Sequence, residues 1–181
     1  MQYRNTAERY GFIAMLLHWG LAILIIAMFA LGSYMVELDY YDPWYKKAPD
    51  LHRSIGVIIT GLMIYRLFWR LSNPRPRESG ETWQRRLASW MHRLFYLLIA
   101  AIVISGYLIT TADGQPVVVF HLFQIPAVFS GFGNQEDIAG EIHEWLTAIL
   151  IVLVSLHALA ALKHHFINRD STLRRMLGKA D

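Results

Sequence analysis

The 181-residue chain has no cysteine. Disulfides, iron–sulfur ligation and thioether attachment through C-x-x-C-H are therefore excluded, and any metal group must be held by other side chains and by packing. Charge is missing over long stretches: none lies between Arg9 and Glu37, between Arg93 and Asp113, or between Glu144 and Lys163. Each of these runs approaches the ~20 apolar residues that a helix needs to cross a bilayer core. Basic residues are absent from 113–144 altogether. There is also no G-x-S-x-G, Walker loop or dinucleotide fingerprint, which removes the commonest hydrolase and nucleotide-binding classes. His143-Glu144-Trp145-Leu146-Thr147 opens like the zinc-protease H-E-x-x-H motif, but threonine stands where the second histidine must be.

What is present is 55% hydrophobic residues, gathered into four runs. The fourth run opens at Ser54, meets Arg66 and continues through Leu67-Phe68-Trp69 to Arg70, so it spans only if Arg66 faces protein or a cofactor. The reading is an all-α transmembrane up-and-down four-helix bundle, with helices at about 12–36, 51–70, 92–112 and 142–163. No linker divides the chain, so 1–181 reads as one membrane domain. A soluble protein with buried core helices is the alternative, and charge placement argues against it. Lys and Arg number two in 1–9, three in 37–53, seven in 66–93, none in 113–144 and five in 163–181. Fourteen basic residues thus fall on one side and three on the other, which puts both termini and the 70–91 loop in the cytoplasm. A cleaved signal peptide would need a shorter apolar core than the first run, which continues to Val36. The net charge of +3 is mostly topological and implies no nucleic-acid partner; membrane lipid is the expected surrounding.

Asn73-Pro74-Arg75-Pro76-Arg77 cannot continue a helix and turns the chain at the inner surface. The outer loop 113–141 is the longest non-spanning piece. Residues 117–129 are too few to span and too apolar to hang in water, so an interfacial segment over the outer mouth is expected.

The histidines carry the chemistry. His18 and His157 each lie roughly 9–10 Å inside the cytoplasmic end of a span, a depth at which an ionisable group implies a function. His143 and His157 are 14 residues apart on one helix, on nearly the same face and about 21 Å apart along the axis. That is too far for one metal and suits one cofactor near each membrane surface. Depth then pairs His18 with His157 and His52 with His143. Imidazole alone does not name the metal. Small residues one turn from each histidine (Ala14, Ala22, Gly56, Ala139, Gly140 and Ala161) would admit a flat macrocycle, which favours two non-covalent b-type haems, each with bis-histidine ligation. The same small residues also serve close helix packing in membranes.

Arg53, Arg66 and Arg70 are candidate counter-ions for haem propionates, with snorkelling to lipid headgroups as the other reading. His92, His164 and His165 sit at the cytoplasmic rim, as solvated residues or in proton delivery. Quinone reduction takes up protons, which singles out His164 and His92 as candidates beside a quinone. His121 reads as an outer-loop residue without a ligand role.

These residues resemble the bacterial cytochrome b561 family of inner-membrane di-haem proteins. The likeness rests on Leu17-His18-Trp19, Leu51-His52-Arg53-Ser54-Ile55-Gly56, Tyr65-Arg66-Leu67, His143-Glu144, and Leu156-His157-Ala158-Leu159-Ala160-Ala161-Leu162-Lys163-His164-His165. The resemblance implies that His18 and His157 ligate the cytoplasmic-side haem, and His52 and His143 the periplasmic-side haem. It further implies electron transfer with ubiquinone and, in some members, oxidation of superoxide at the periplasmic face. A basic outer surface would guide that anion. Here residues 37–53 hold three basic and four acidic residues, and 113–144 holds five acidic and none basic, so only Lys46, Lys47 and Arg53 could form a local positive patch. Two other readings stand beside this one. The chain could be a cytochrome b anchor subunit serving a dehydrogenase or a periplasmic redox protein, or a haem-free histidine-lined transporter.

Overall fold

The computed structural model describes residues 2–76 and 80–179, so Arg77, the last residue of the expected inner turn, lies outside the described residues. Four long helices dominate: α1 (Phe12–Val36), α2 (Lys47–Ser72), α3 (Thr82–Thr111) and α4 (Gln135–Phe166). A short antiparallel hairpin, β1 (Val117–Val119) and β2 (Phe123–Ile125), lies between α3 and α4, and α5 (Thr172–Met176) follows α4. All four long helices are long and apolar enough to cross a membrane. Their outward faces carry large apolar side chains such as Ile23, Ile64, Leu97 and Leu159, which lipid would cover.

Local chemistry fixes the helix ends. Ahead of α1, the Thr6 hydroxyl accepts from the amides of Glu8 and Arg9, and Asn5 accepts from the Gly11 amide at 2.8 Å. Pro49 and Asp50 fall in the first turn of α2, where a missing N–H costs nothing and a carboxylate suits the helix dipole. Asn73-Pro74 ends that helix. The same dipole logic places Glu136 and Asp137 at the start of α4 and Lys163, His164 and His165 at its end. α3 and α4 begin at Thr82 and Gln135, well ahead of the apolar runs at 92 and 142. A helix needs backbone hydrogen bonds, whereas only its membrane-crossing part needs apolar side chains.

Chain contacts divide the protein into two compact units. One comprises Met1–Ile23, Leu62–Tyr96 and Val152–Asp181; the other comprises Leu24–Gly61 and Leu97–Ile151. In the first, Leu17 and Leu21 are buried. The N-terminal segment there is tied to the turn after α2 by Asn5, which donates to the Pro74 carbonyl at 3.1 Å, and α5 to α1 by Trp19, which donates to the Met176 carbonyl at 2.9 Å. In the second, Ala48, Ile59, Leu98, Ile99, Val117, Val119, Ala139 and Leu150 form the core.

The loop between α3 and α4, expected as an interfacial segment, contains the hairpin and is tied into the second unit, while Leu122, Val128 and Phe132 stay exposed. Thr111, fully buried, donates to the Phe129 carbonyl, Tyr107 donates to the Pro126 carbonyl, and Gln135 donates to the carbonyls of Leu108 and Phe129. The alternating burial of Val117 and Val119 is the period-two signature of a strand with one buried face. At the hairpin tip, Phe120 (φ 46°) and His121 (φ 59°) both adopt left-handed backbone, and the Leu122 amide donates to the Val119 carbonyl at 2.8 Å. With Val119 paired to Phe123, these two left-handed residues and Leu122 form a three-residue tip, and phenylalanine seldom takes that backbone.

Candidate functional site

Each unit contains a histidine pair, and each pair is surrounded by residues from all four long helices. In the first unit, the rings of His18 (α1) and His157 (α4) have centroids 6.3 Å apart with planes at 70°. α2 contributes Arg66, whose Nη2 lies 3.2 Å from His18 Nδ1. A guanidinium can only donate, so Nδ1 accepts in this arrangement. α3 contributes His92 and Phe95, with ring centres 5.8 and 5.5 Å from that of His157. Sequence reasoning put His92 at the rim; its ring instead lies beside a paired histidine. Arg70 stacks over the Tyr96 ring at 5.9 Å, and among the described residues the buried Tyr96 hydroxyl has no hydrogen-bond partner.

In the second unit, His52 (α2) and His143 (α4) have ring centroids 6.2 Å apart at 68°. His143 Nδ1 lies 3.0 Å from both the Ile102 carbonyl and the Ser105 hydroxyl on α3. The carbonyl can only accept, so it fixes the proton on Nδ1 and leaves the Nε2 lone pair free. Among the described residues, His52 Nδ1 is buried without a hydrogen-bond partner. Gly32 on α1 and Gly106 on α3 face the two rings: a Cβ on either would stand 3.3 Å from Cε1 of His52 or His143, respectively. Sequence reasoning missed these two by searching one turn along each histidine's own helix. Of the small residues it named, Gly140 has open space where a Cβ would go, and Gly56 meets only the tip of Met28. The available signal was a glycine in mid-span, which costs a helix about 1 kcal/mol relative to alanine and so implies a compensating reason.

The N-terminal end of α2 borders a cavity of about 530 Å³ whose lining includes Lys47, Asp50, Arg53, Ser54, Phe120 and His121. Ser54, 2% exposed, accepts from the Phe120 amide at 3.0 Å and so ties the hairpin tip to the turn that follows His52. Of the three basic candidates, Lys47 and Arg53 line this cavity. Lys46 is exposed and not part of the lining, and Arg53 is ion-paired with Asp50, which offsets its charge. His121, expected to be a bystander, lines the cavity as well.

At the end of α4, His164 is not a free rim residue: its Nδ1 meets Asp170 Oδ2 at 2.5 Å. The ring of its neighbour His165 packs against Phe166. Among the described residues, no three histidine, aspartate or glutamate side chains converge as they would on a bare metal ion. Two facing imidazoles can instead hold a metal whose other ligands come from a flat macrocycle.

The whole chain resembles known proteins. It is 49% identical to cytochrome b561 homolog 2 of Escherichia coli, covering 99% of this chain and 97% of the relative. It is 31% identical to the probable superoxide oxidase CybB of Yersinia pestis over 95% and 97% of the two chains. Identity to cytochrome b561 homolog 1 of Escherichia coli is 26% over 94% and 97%. The profile of the prokaryotic cytochrome b561 family matches residues 9–179. With its four apolar helices and two histidine pairs, the chain belongs to the prokaryotic cytochrome b561 family, as a multi-pass bacterial inner-membrane cytochrome of a family that binds b-type haem.

Proposed function

We propose that each histidine pair is the axial ligand set of one b-type haem, His18 with His157 and His52 with His143, and that the protein delivers electrons to ubiquinone from a donor at its outer face. The observation that carries this reading is the near-identical spacing of the pairs, 6.3 and 6.2 Å between ring centres. Two imidazoles ligating opposite sides of one metal at about 2.0–2.1 Å would place their ring centres roughly 6 Å apart. The glycines facing His52 and His143 and the orphaned Nδ1 of His52 are consistent with a site shaped for a larger group.

When bound, haem iron supplies reversible one-electron storage. The residues supply position. The Ile102 carbonyl orients His143 with Nε2 available for ligation. Ligation of His18 through Nε2 requires the proton on Nδ1, so Arg66 would turn away to neutralise a propionate, with Arg70 beside it. The excess of basic residues in 66–93 and at both ends of the chain supports a cytoplasmic position for the termini and the His18–His157 pair.

Superoxide is the proposed donor, from the resemblance to the Yersinia pestis relative named for that activity. Two superoxide ions, one quinone and two protons give two dioxygen molecules and one quinol. Lys47 and Arg53 at the outer cavity would draw the anion. On the cytoplasmic side His164, with His92 as the second candidate, would pass protons to the quinone. Stopped-flow mixing tests donor and acceptor together: superoxide should reduce the haems and ubiquinone should reoxidise them. Failure of the first step would favour an anchor subunit fed by a dehydrogenase or a periplasmic redox protein. A purified protein with no Soret band would leave the haem-free transporter.

A further inference from the structure

The stretch after α4 turns back on itself and fastens to two helices. Arg169 takes a left-handed backbone (φ 53°), which reverses the chain, and the Asp170 amide donates to the His164 carbonyl at 3.1 Å. The Asp170 carboxylate then divides its two oxygens. Oδ2 meets His164 Nδ1 at 2.5 Å, and Oδ1 accepts from the Thr172 amide at 2.9 Å, at the start of α5. α5 in turn is held to α1 through the Met176 carbonyl and Trp19, the neighbour of His18. The side chains of His164 and Asp170 are only 19% and 23% exposed, so the pair is sheltered. Burial raises the Asp170 pKa, but hydrogen bonds from the Thr172 backbone and side chain and from His164 outweigh it and hold the carboxyl below its ordinary value. It is therefore ionised at neutral pH and can only accept.

Asn168 Nδ2 also approaches His164 Nδ1, at 3.3 Å. An amide NH₂ is a donor and would favour the opposite tautomer, but the shorter, charge-assisted contact to the carboxylate prevails. The proton of the neutral ring then sits on Nδ1, so Nε2 carries the lone pair.

We propose that Asp170 is the positioning residue of the quinone site, holding His164 in the Nδ1–H tautomer so that Nε2 carries protons from water to the quinone. This rests on the reading of His164 given under Proposed function. Reduction of one quinone to quinol needs two electrons, which bound haem would supply, and two protons, each given from Nε2 of protonated His164, which is recharged from solvent. The carboxylate stabilises the imidazolium that forms between transfers, as an acid oriented by a third group requires.

The test uses haem-loaded protein in detergent, with ¹⁵N-labelled histidine. The His164 signals are identified as those missing from His164→Ala. In the wild type, at a pH high enough to leave the ring neutral, the ¹⁵N shifts should report Nδ1–H. In Asp170→Asn, whose amide can donate to Nδ1, they should report Nε2–H, and reoxidation by ubiquinone should slow by about tenfold or more while haem content and reduction by donor stay unchanged. Asp170→Glu keeps the carboxylate and should keep the wild-type tautomer, which leaves the idea testable if the asparagine variant fails to fold. An unchanged tautomer in Asp170→Asn overturns the proposal. So does a reversed tautomer with wild-type reoxidation, provided His164→Ala is slow. Wild-type reoxidation in His164→Ala itself would instead remove His164 from the quinone site, and Asp170's role with it.

Discussion

At position 106 a hydrogen atom stands where any other residue would set a carbon 3.3 Å from the His143 ring. Gly106→Ala asks its neighbours to give by only a few tenths of an ångström and should keep the haem of the His52–His143 pair, with a shifted midpoint potential. Gly106→Val puts branched carbons against the ring, and overpacking of this kind costs about 1–3 kcal/mol. The expected outcome is loss of that haem with retention of the other, read from haem-to-protein stoichiometry and low-temperature spectra. The complementary change is His157→Ala. If the proposed pairing holds, it should remove the haem assigned to His18 and His157 and halve the haem content, leaving the spectrum of the haem assigned to His52 and His143 intact. If the surviving spectrum is instead that of the His18 site, the pairing is wrong. His92, with its ring 5.8 Å from that of His157, makes this a demanding test, because it is the neighbour best placed to substitute as ligand.

Among the elements, the outer hairpin is the one that departs most from local preference. Phe120 and His121 occupy left-handed positions that asparagine or glycine would take at lower cost, and for other residues that backbone costs roughly 1–2 kcal/mol each. What holds the tip is the burial of Val117 and Val119 and the hydrogen bond from the Phe120 amide to Ser54. His121→Asn should relieve part of the strain and raise the thermal midpoint by about 2 °C, measured by loss of the haem absorbance on heating. A lower midpoint would mean that His121 makes a contact in the outer cavity worth more than the strain. Ser54→Ala removes the acceptor and should cost about 1–2 kcal/mol, seen as faster hydrogen exchange at the Phe120 amide.

For the whole molecule, the absence of cysteine is an experimental advantage, since any introduced thiol is the only one. Arg75→Cys lies in the turn after α2, and Val128→Cys lies in the loop between the hairpin and α4. Both positions are exposed. In intact cells permeabilised only at the outer membrane, a membrane-impermeant maleimide should label Cys at 128 and not at 75, and inverted vesicles should reverse the pattern. The same pattern in both preparations would break the assigned orientation and with it the cytoplasmic placing of the His18–His157 pair.

The sequence by itself determined the four helices, because runs without charge at membrane-spanning length have few other solutions, and a helix satisfies its backbone within itself. It also pointed to four histidines in two pairs, since depth in a span is read directly from residue count, and these are the pairs whose rings face one another. Only the tertiary structure decided what surrounds them. Gly32 and Gly106 lie on helices other than those of the histidines they face, and His92 reaches His157 from α3. No periodicity along one helix encodes which face of another will meet it. The hairpin escaped for a related reason: its strands are three residues each and its tip defies turn preference, so only the buried valines and the bond to Ser54 make it form. Asp170 was the least legible of all. An aspartate in a polar tail looks solvated in sequence, and only the left-handed turn at Arg169 brings it back onto His164.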